Sequence, residues 1–158
     1  MFVKNQWYAF AWDREVGRKP LGRTICGEPV VVYRKLDGEL AALIDACPHR
    51  LLPLSMGLVE GDNLRCRYHG VLFNGQGQCI EMPGETQKKD ALVAQTYPVV
   101  ERHRFVWVWI GDADKADPAL VPDLWPCSTQ GWAFDGGGVR ARIVIDRMLK
   151  AQAQAVTA

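Results

Sequence analysis

Between Leu21 and Ile110 the chain consists of short apolar or β-branched runs, each closed by a turn signal. Leu21 to Cys26, Pro29 to Arg34 and Glu39 to Ile44 are three such runs, punctuated by Gly27-Glu28-Pro29 and by Asp37-Gly38. Asp-Gly between apolar runs is a strong hairpin signal. Leu64 to Arg67, Val71 to Asn74 and Gln78 to Met82 form a second set, with turns at His69-Gly70 and Gly75-Gln76-Gly77. Thr96 to Glu101 and Arg104 to Ile110 predict a closing hairpin about Arg102-His103, and Val106-Trp107-Val108-Trp109 is dense in β-formers. Runs this short and this regularly interrupted predict an all-β fold, an antiparallel sandwich or barrel.

The pattern changes after Gly111. Asp112 to Pro118 is acidic and ends in proline, as a linker does, and Pro122, Pro126 and Gly136-Gly137-Gly138 are loop chemistry. Val139 to Ile145 alternates as a strand does, and Asp146 is placed to cap a helix over Arg147 to Val156. The organisation read from this is a domain over residues 1–111, then a linker and a short C-terminal strand/helix appendix over 112–158.

The 158 residues are enough for one domain with its own core, and a formal net charge of +1 gives no field to attract nucleic acid or an anionic membrane. No apolar stretch is long enough to span a bilayer, and no charged segment followed by an apolar one opens the chain. The expectation is a cytoplasmic protein with neither nucleic-acid nor membrane partners. Thiols stay reduced in that compartment, and the cysteine count of five is odd, so the cysteines read as ligands or core rather than as disulfides.

Two segments carry chemistry. Cys47-Pro48-His49-Arg50 and Cys66-Arg67-Tyr68-His69-Gly70 form Cys-x-His, sixteen residues, then Cys-x-x-His. Each supplies one thiolate and one imidazole at a strand-to-turn boundary, so two loops can pinch a small metal centre between them. When imidazoles replace thiolates on one iron of a two-iron cluster, the potential rises to between about −150 and +300 mV, against about −400 mV for all-cysteine plant-type clusters. A tetrahedral Cys2His2 zinc site is the rival reading. Zinc fingers usually pair Cys with Cys and His with His, whereas here each segment mixes them. Around the ligands, Arg50, Arg65 and Arg67 are candidates for a cationic rim that steers an acidic partner. Asp45 is a candidate either to accept from a ligand histidine or to form the turn before the first segment. Cys26, Cys79 and Cys127 read as structural, and Trp107 and Trp109 as core.

These two segments, with Phe73, Gly77 and Pro83, resemble the Rieske domain of aromatic-ring-hydroxylating oxygenases. Asn5-Gln6-Trp7-Tyr8, Pro20-Leu21-Gly22-Arg23 and Val106 to Asp112 are similar to the branch that contains vanillate O-demethylase and related demethylating monooxygenases. The resemblance implies a β-sandwich with a smaller, inserted cluster-binding β-lobe, and a Rieske-type [2Fe-2S] cluster on Cys47, His49, Cys66 and His69. It implies a flavin/iron-sulfur reductase as electron donor. Oxygenases of this family also hold a mononuclear iron on two histidines and a carboxylate. The chain has three histidines, two of them in the ligand segments, so only His103 remains. Val144-Ile145-Asp146 resembles the lead into the family's catalytic helix, but Lys150 and Ala153 stand where the acidic residue and the histidine belong. Residues 112–158 therefore read as the truncated start of a catalytic domain. Three readings follow: an electron-transfer component feeding iron on a separate oxygenase subunit, a stand-alone ferredoxin-like carrier, or a folded oxygenase remnant.

High-potential Rieske proteins carry an extra cysteine beside each segment and a serine after the second glycine. Here those places hold Leu51-Leu52, Tyr68 and Val71. Fewer donors to the cluster sulfurs leave the reduced state less stabilised. A redox titration is expected to give a midpoint in the low, negative part of the mixed-ligand range; a strongly positive value would contradict this reading.

Overall fold

The computed structural model describes residues 2–84 and 91–124. Its strands are β1 (Gln6–Trp12), β2 (Leu21–Ile25), β3 (Glu28–Arg34), β4 (Leu40–Ile44), β5 (Leu58–Glu60), β6 (Asn63–Arg65), β7 (Leu72–Phe73), β8 (Cys79–Glu81), β9 (Val99–Arg102) and β10 (Phe105–Ile110). They form three sheets, β1-β10-β9, β2-β3-β4 and β5-β6-β7-β8, with every pairing antiparallel. The expected all-β sandwich with an inserted lobe is what forms: β5 to β8 leave the sandwich after β4 and return to it at β9. The strand and helix expected over Val139 to Ile145 and Arg147 to Val156 lie outside the described residues, as do Trp125, Cys127 and Trp132. Among the described residues no helix is long and apolar enough to cross a membrane.

Turn chemistry sets the hairpins. Between β2 and β3, Cys26 and Gly27 both have positive φ (52° and 80°), as do His103 and Arg104 between β9 and β10 (54° and 67°). Positive φ at both central positions matches the right-handed twist of the flanking strands. The turns therefore fall at Cys26-Gly27 and His103-Arg104, each one residue away from the place composition suggested. Two strands are not singled out by the alternation. β5 is only three residues long. β1 carries a bulge between Ala9 and Ala11, which puts Phe10 and Ala11 into the same core and breaks the period of two.

Burial follows from β3. Val30, Val31, Val32 and Tyr33 are all fully buried. Successive side chains point to opposite faces, so Val30 and Val32 enter the core between the two three-stranded sheets, with Phe10, Val106, Val108 and Ile110. Val31 and Tyr33 enter the core under the lobe, with Leu43, Leu54, Leu64 and Phe73. The segment 93–97 ties lobe to sandwich: Ala94 N–H donates to the Gly77 carbonyl (2.8 Å), and Tyr97 N–H to that of Ala42 (3.0 Å). Gly77 has φ +78°, and a Cβ there would lie 2.0 Å from the Ala94 oxygen, so only glycine allows this crossing.

The outer face of β10 forms a third cluster, Phe105, Trp107 and Trp109 with Trp7 and Val121. The segment whose composition reads as a linker lies across it. Indole N–H groups of Trp7 and Trp109 donate to the carbonyls of Asp117 and Asp112, both at 2.8 Å. Buried indoles need such acceptors, and the linker backbone provides them. Trp107→Ala should therefore cost about 3–5 kcal/mol in a denaturant titration, while Leu36→Ala, at a 71% exposed position, should change stability by less than about 0.5 kcal/mol.

Candidate metal centre

The two ligand segments fold into loops of the same backbone design. In the first, Cys47 N–H donates to the Leu52 carbonyl (2.8 Å) and Leu51 N–H to the Cys47 carbonyl (2.7 Å). In the second, Cys66 N–H donates to the Val71 carbonyl (2.8 Å) and Gly70 N–H to the Cys66 carbonyl (3.1 Å). Each cysteine thus closes its loop against the residues four and five positions later. The residue four later must turn left-handed in both: Leu51 has φ 58° and Gly70 φ 74°. Leucine accepts that conformation at a cost of about 1–2 kcal/mol.

These loops bring all four expected residues to one end of the lobe and sort them by type. Cys47 and Cys66 are buried at 2% exposure, His49 is half-buried and His69 exposed. Burial pushes the Cys47 thiol up to about 11; the backbone N–H of His49 opposes that shift, and contact with the Cys66 thiol adds to it. The imidazoles of His49 and His69 lie with ring centroids 4.6 Å apart, and the Tyr68 ring lies 3.8 Å from that of His69. Sulfur therefore neighbours sulfur inside, and imidazole neighbours imidazole outside.

The arrangement fits a metal centre. His49 Nδ1 is buried and has no hydrogen-bond partner. A buried polar nitrogen in that state is costly, and coordination to a metal would satisfy it. Two pairs, each of one ligand type, suit a two-metal cluster better than a lone tetrahedral zinc.

The surroundings decide between the readings of Asp45 and narrow the candidate rim. Asp45 does not serve a ligand histidine. Its carboxylate accepts from the Ser55 N–H (2.6 Å) and hydroxyl (2.7 Å), pinning the chain before Cys47 to the turn at Leu54–Met56. Gly22 makes room for this pair, because a Cβ there would meet Asp45 Oδ2 at 2.4 Å. Arg65 is not a free rim cation. Glu81 and Glu60 hold its guanidinium and raise its pKa, and Arg65 in turn lowers that of Glu81. Arg50 and Arg67 are exposed. Val71 is fully buried in the core under the lobe. Cys79 is buried in that same core, while Cys26 sits half-buried at its hairpin turn. Ser55, Glu60 and Glu81 carry no motif signal in the sequence; only their positions across the fold reveal their partners.

Known proteins match this chain along the same elements. The dicamba O-demethylase oxygenase component of Stenotrophomonas maltophilia is 47% identical over 124 residues, covering 78% of this chain and 37% of that protein. The vanillate O-demethylase oxygenase subunit of a Pseudomonas species is 41% identical over 153 residues, covering 94% of this chain and 43% of that protein. A crystal structure of dicamba monooxygenase bound to dicamba superposes with a TM-score of 0.78 at 44% identity, over 82% of this chain and 39% of that one. The chain thus spans less than half the length of these relatives. A sequence model of the Rieske [2Fe-2S] domain matches residues 6–98, a span that begins with β1 and contains both ligand loops. With more than half of its length inside that match, the chain belongs to the Rieske [2Fe-2S] domain family.

Proposed function

We propose that this chain is a one-electron carrier in an aromatic-ring oxygenase or O-demethylase system. Cys47 and Cys66 hold one iron of its [2Fe-2S] cluster, and His49 and His69 hold the other. The observation that carries this reading is the sorting of the four side chains, with both cysteines buried and the two imidazoles side by side, half-buried at His49 and exposed at His69. When bound, the cluster supplies a centre that gains and loses one electron, at a potential raised by imidazole ligation. The protein's own residues do the rest. The buried cysteines shield the sulfur side from solvent and oxidants. His69, exposed at the tip, lets a partner approach the imidazole edge closely.

The donor in this reading is a flavin/iron-sulfur reductase in the cytoplasm, where thiols remain reduced. The acceptor is a mononuclear iron outside the ligand loops, since His103 alone cannot supply the two histidines such a site needs. Residues 1–111 are the carrier domain, and 112–158 lead toward the catalytic part of the system. Arg50 and Arg67 flank the tip and give it a cationic rim suited to an acidic partner.

Metal and sulfide analysis of anaerobically purified protein tests the cluster. The expected result is two irons and two sulfides per chain, as the family's cluster requires, with the low average g-value of a mixed Cys/His centre after reduction. Zinc without sulfide would overturn it. Replacing Arg50 and Arg67 together with Gln should slow reduction by an acidic reductase about tenfold at low ionic strength. The difference should vanish in high salt, where exposed charges are screened. An unchanged low-salt rate would remove the rim from the mechanism.

A further inference from the structure

One side chain anchors the second ligand loop from outside. Arg65 ends β6 and immediately precedes Cys66. Its Nη1 donates to the Gly70 carbonyl at 2.6 Å and to Glu81 Oε1 at 3.1 Å. Its Nη2 donates to Glu81 Oε2 at 3.0 Å, and its Nε to Glu60 Oε1 at 2.7 Å. The planar guanidinium so joins β5, β6, β8 and the residue that follows His69, with only 23% of its side chain exposed. Glu60 and Glu81 more than balance its charge, so this is a bracket and not a steering cation.

The bracket closes on the least buried ligand. His69 is exposed, and its ring contacts are with Tyr68 and His49. Its backbone is fixed by what holds Gly70. The Gly70 N–H donates to the Cys66 carbonyl and the Gly70 carbonyl accepts from Arg65, so the residue after His69 is held through both of its backbone polar groups. The first loop has no such need at its histidine. His49 is half-buried, and its loop is pinned upstream by Asp45 and Ser55. Lysine cannot replace the bracket, because one ammonium cannot span Gly70, Glu81 and Glu60 with the geometry of a planar fork.

We propose that Arg65 is a positioning residue for the cluster: by holding the Gly70 carbonyl it fixes the direction of the His69 ring, and Glu60 and Glu81 hold the guanidinium in place. This rests on the reading of His69 as an iron ligand. Outer partners of metal ligands typically carry a factor of 10–100 in metal affinity, and the bracket acts on His69 through its backbone in the same sense.

The test uses cluster-loaded protein with Arg65→Lys and Arg65→Gln. Three quantities are read: the anaerobic rate of iron release to a chelator, the width of the g-features of the reduced cluster, and hydrogen exchange at the Gly70 and Val71 amides. Both variants should release iron about tenfold faster, with broadened g-features and faster exchange at those two amides. Glu81→Gln, a milder change that leaves Arg65 in place, should shift all three in the same direction by less. Arg65→Lys behaving as the parent protein would overturn the proposal, since charge alone would then suffice. So would a lowered melting temperature with unchanged g-features and iron release, which is the mark of a purely structural arginine. A parent protein that carries no [2Fe-2S] cluster overturns the ligand reading and this inference together; a loaded parent with unaffected variants overturns the inference alone.

Discussion

The burial of β3 on both faces is the constraint on which the rest of the structure depends. A strand buried on one face alone would serve the sandwich and leave the lobe as a loosely tethered hairpin pair. Here Val30 and Val32 fill the sandwich, and Val31 and Tyr33 fill the core beneath the lobe. Each fully buried side chain of this kind contributes about 1.5–3 kcal/mol, so one strand stabilises both halves at once. The lobe's four strands are two to three residues long, too short to stand as an independent sheet. They are stable because Leu64, Phe73 and Cys79 are buried in the core beneath them, and because segment 93–97 stitches the lobe to β4.

On that platform the ligand loops are rigid for local reasons. Each is closed by two backbone hydrogen bonds to its own cysteine, and each turns through a left-handed residue. Their outer supports are of opposite sign. A carboxylate, Asp45, secures the approach to Cys47, and a guanidinium, Arg65, secures the exit from His69. The sulfur side of the site is thereby sealed and the imidazole side left open. The one-electron role proposed for this centre would use that asymmetry: shielding where oxidation would destroy it, and exposure where a partner would come near.

The third core extends the platform beyond the family's matched span. Trp7, Trp107 and Trp109 form an aromatic face on which the indole N–H groups of Trp7 and Trp109 donate to the carbonyls of Asp117 and Asp112, while that of Trp107 donates to the Arg102 carbonyl. A segment with the composition of a linker is therefore held in one course across the sheet. Polar, proline-containing sequence says that a stretch does not form a strand or helix of its own; it does not say that the stretch is free.

The candidate ligands stand out in the sequence because the chemistry proposed for them is local: Cys47 and His49, or Cys66 and His69, lie within one turn of chain, and few other uses require that mixture at that spacing. The strands and most turns were legible for a similar reason, since side-chain alternation and Gly or Asp-Gly signals act over a few residues. The bulge in β1 was not, because the extra residue is defined only by its partner strand, β10. Nor were the roles of Asp45 and Arg65. Both read plausibly as neighbours of the ligands, yet Asp45 is taken by Ser55 ten residues on, and Arg65 by Glu60, Gly70 and Glu81. A charged side chain takes the partner that the fold sets opposite it, and that partner is chosen by strand register rather than by sequence distance. The sequence by itself determined which side chains are the candidates to bind metal; tertiary structure alone decided how those side chains are held, because holding them requires contacts between strands that are distant along the chain.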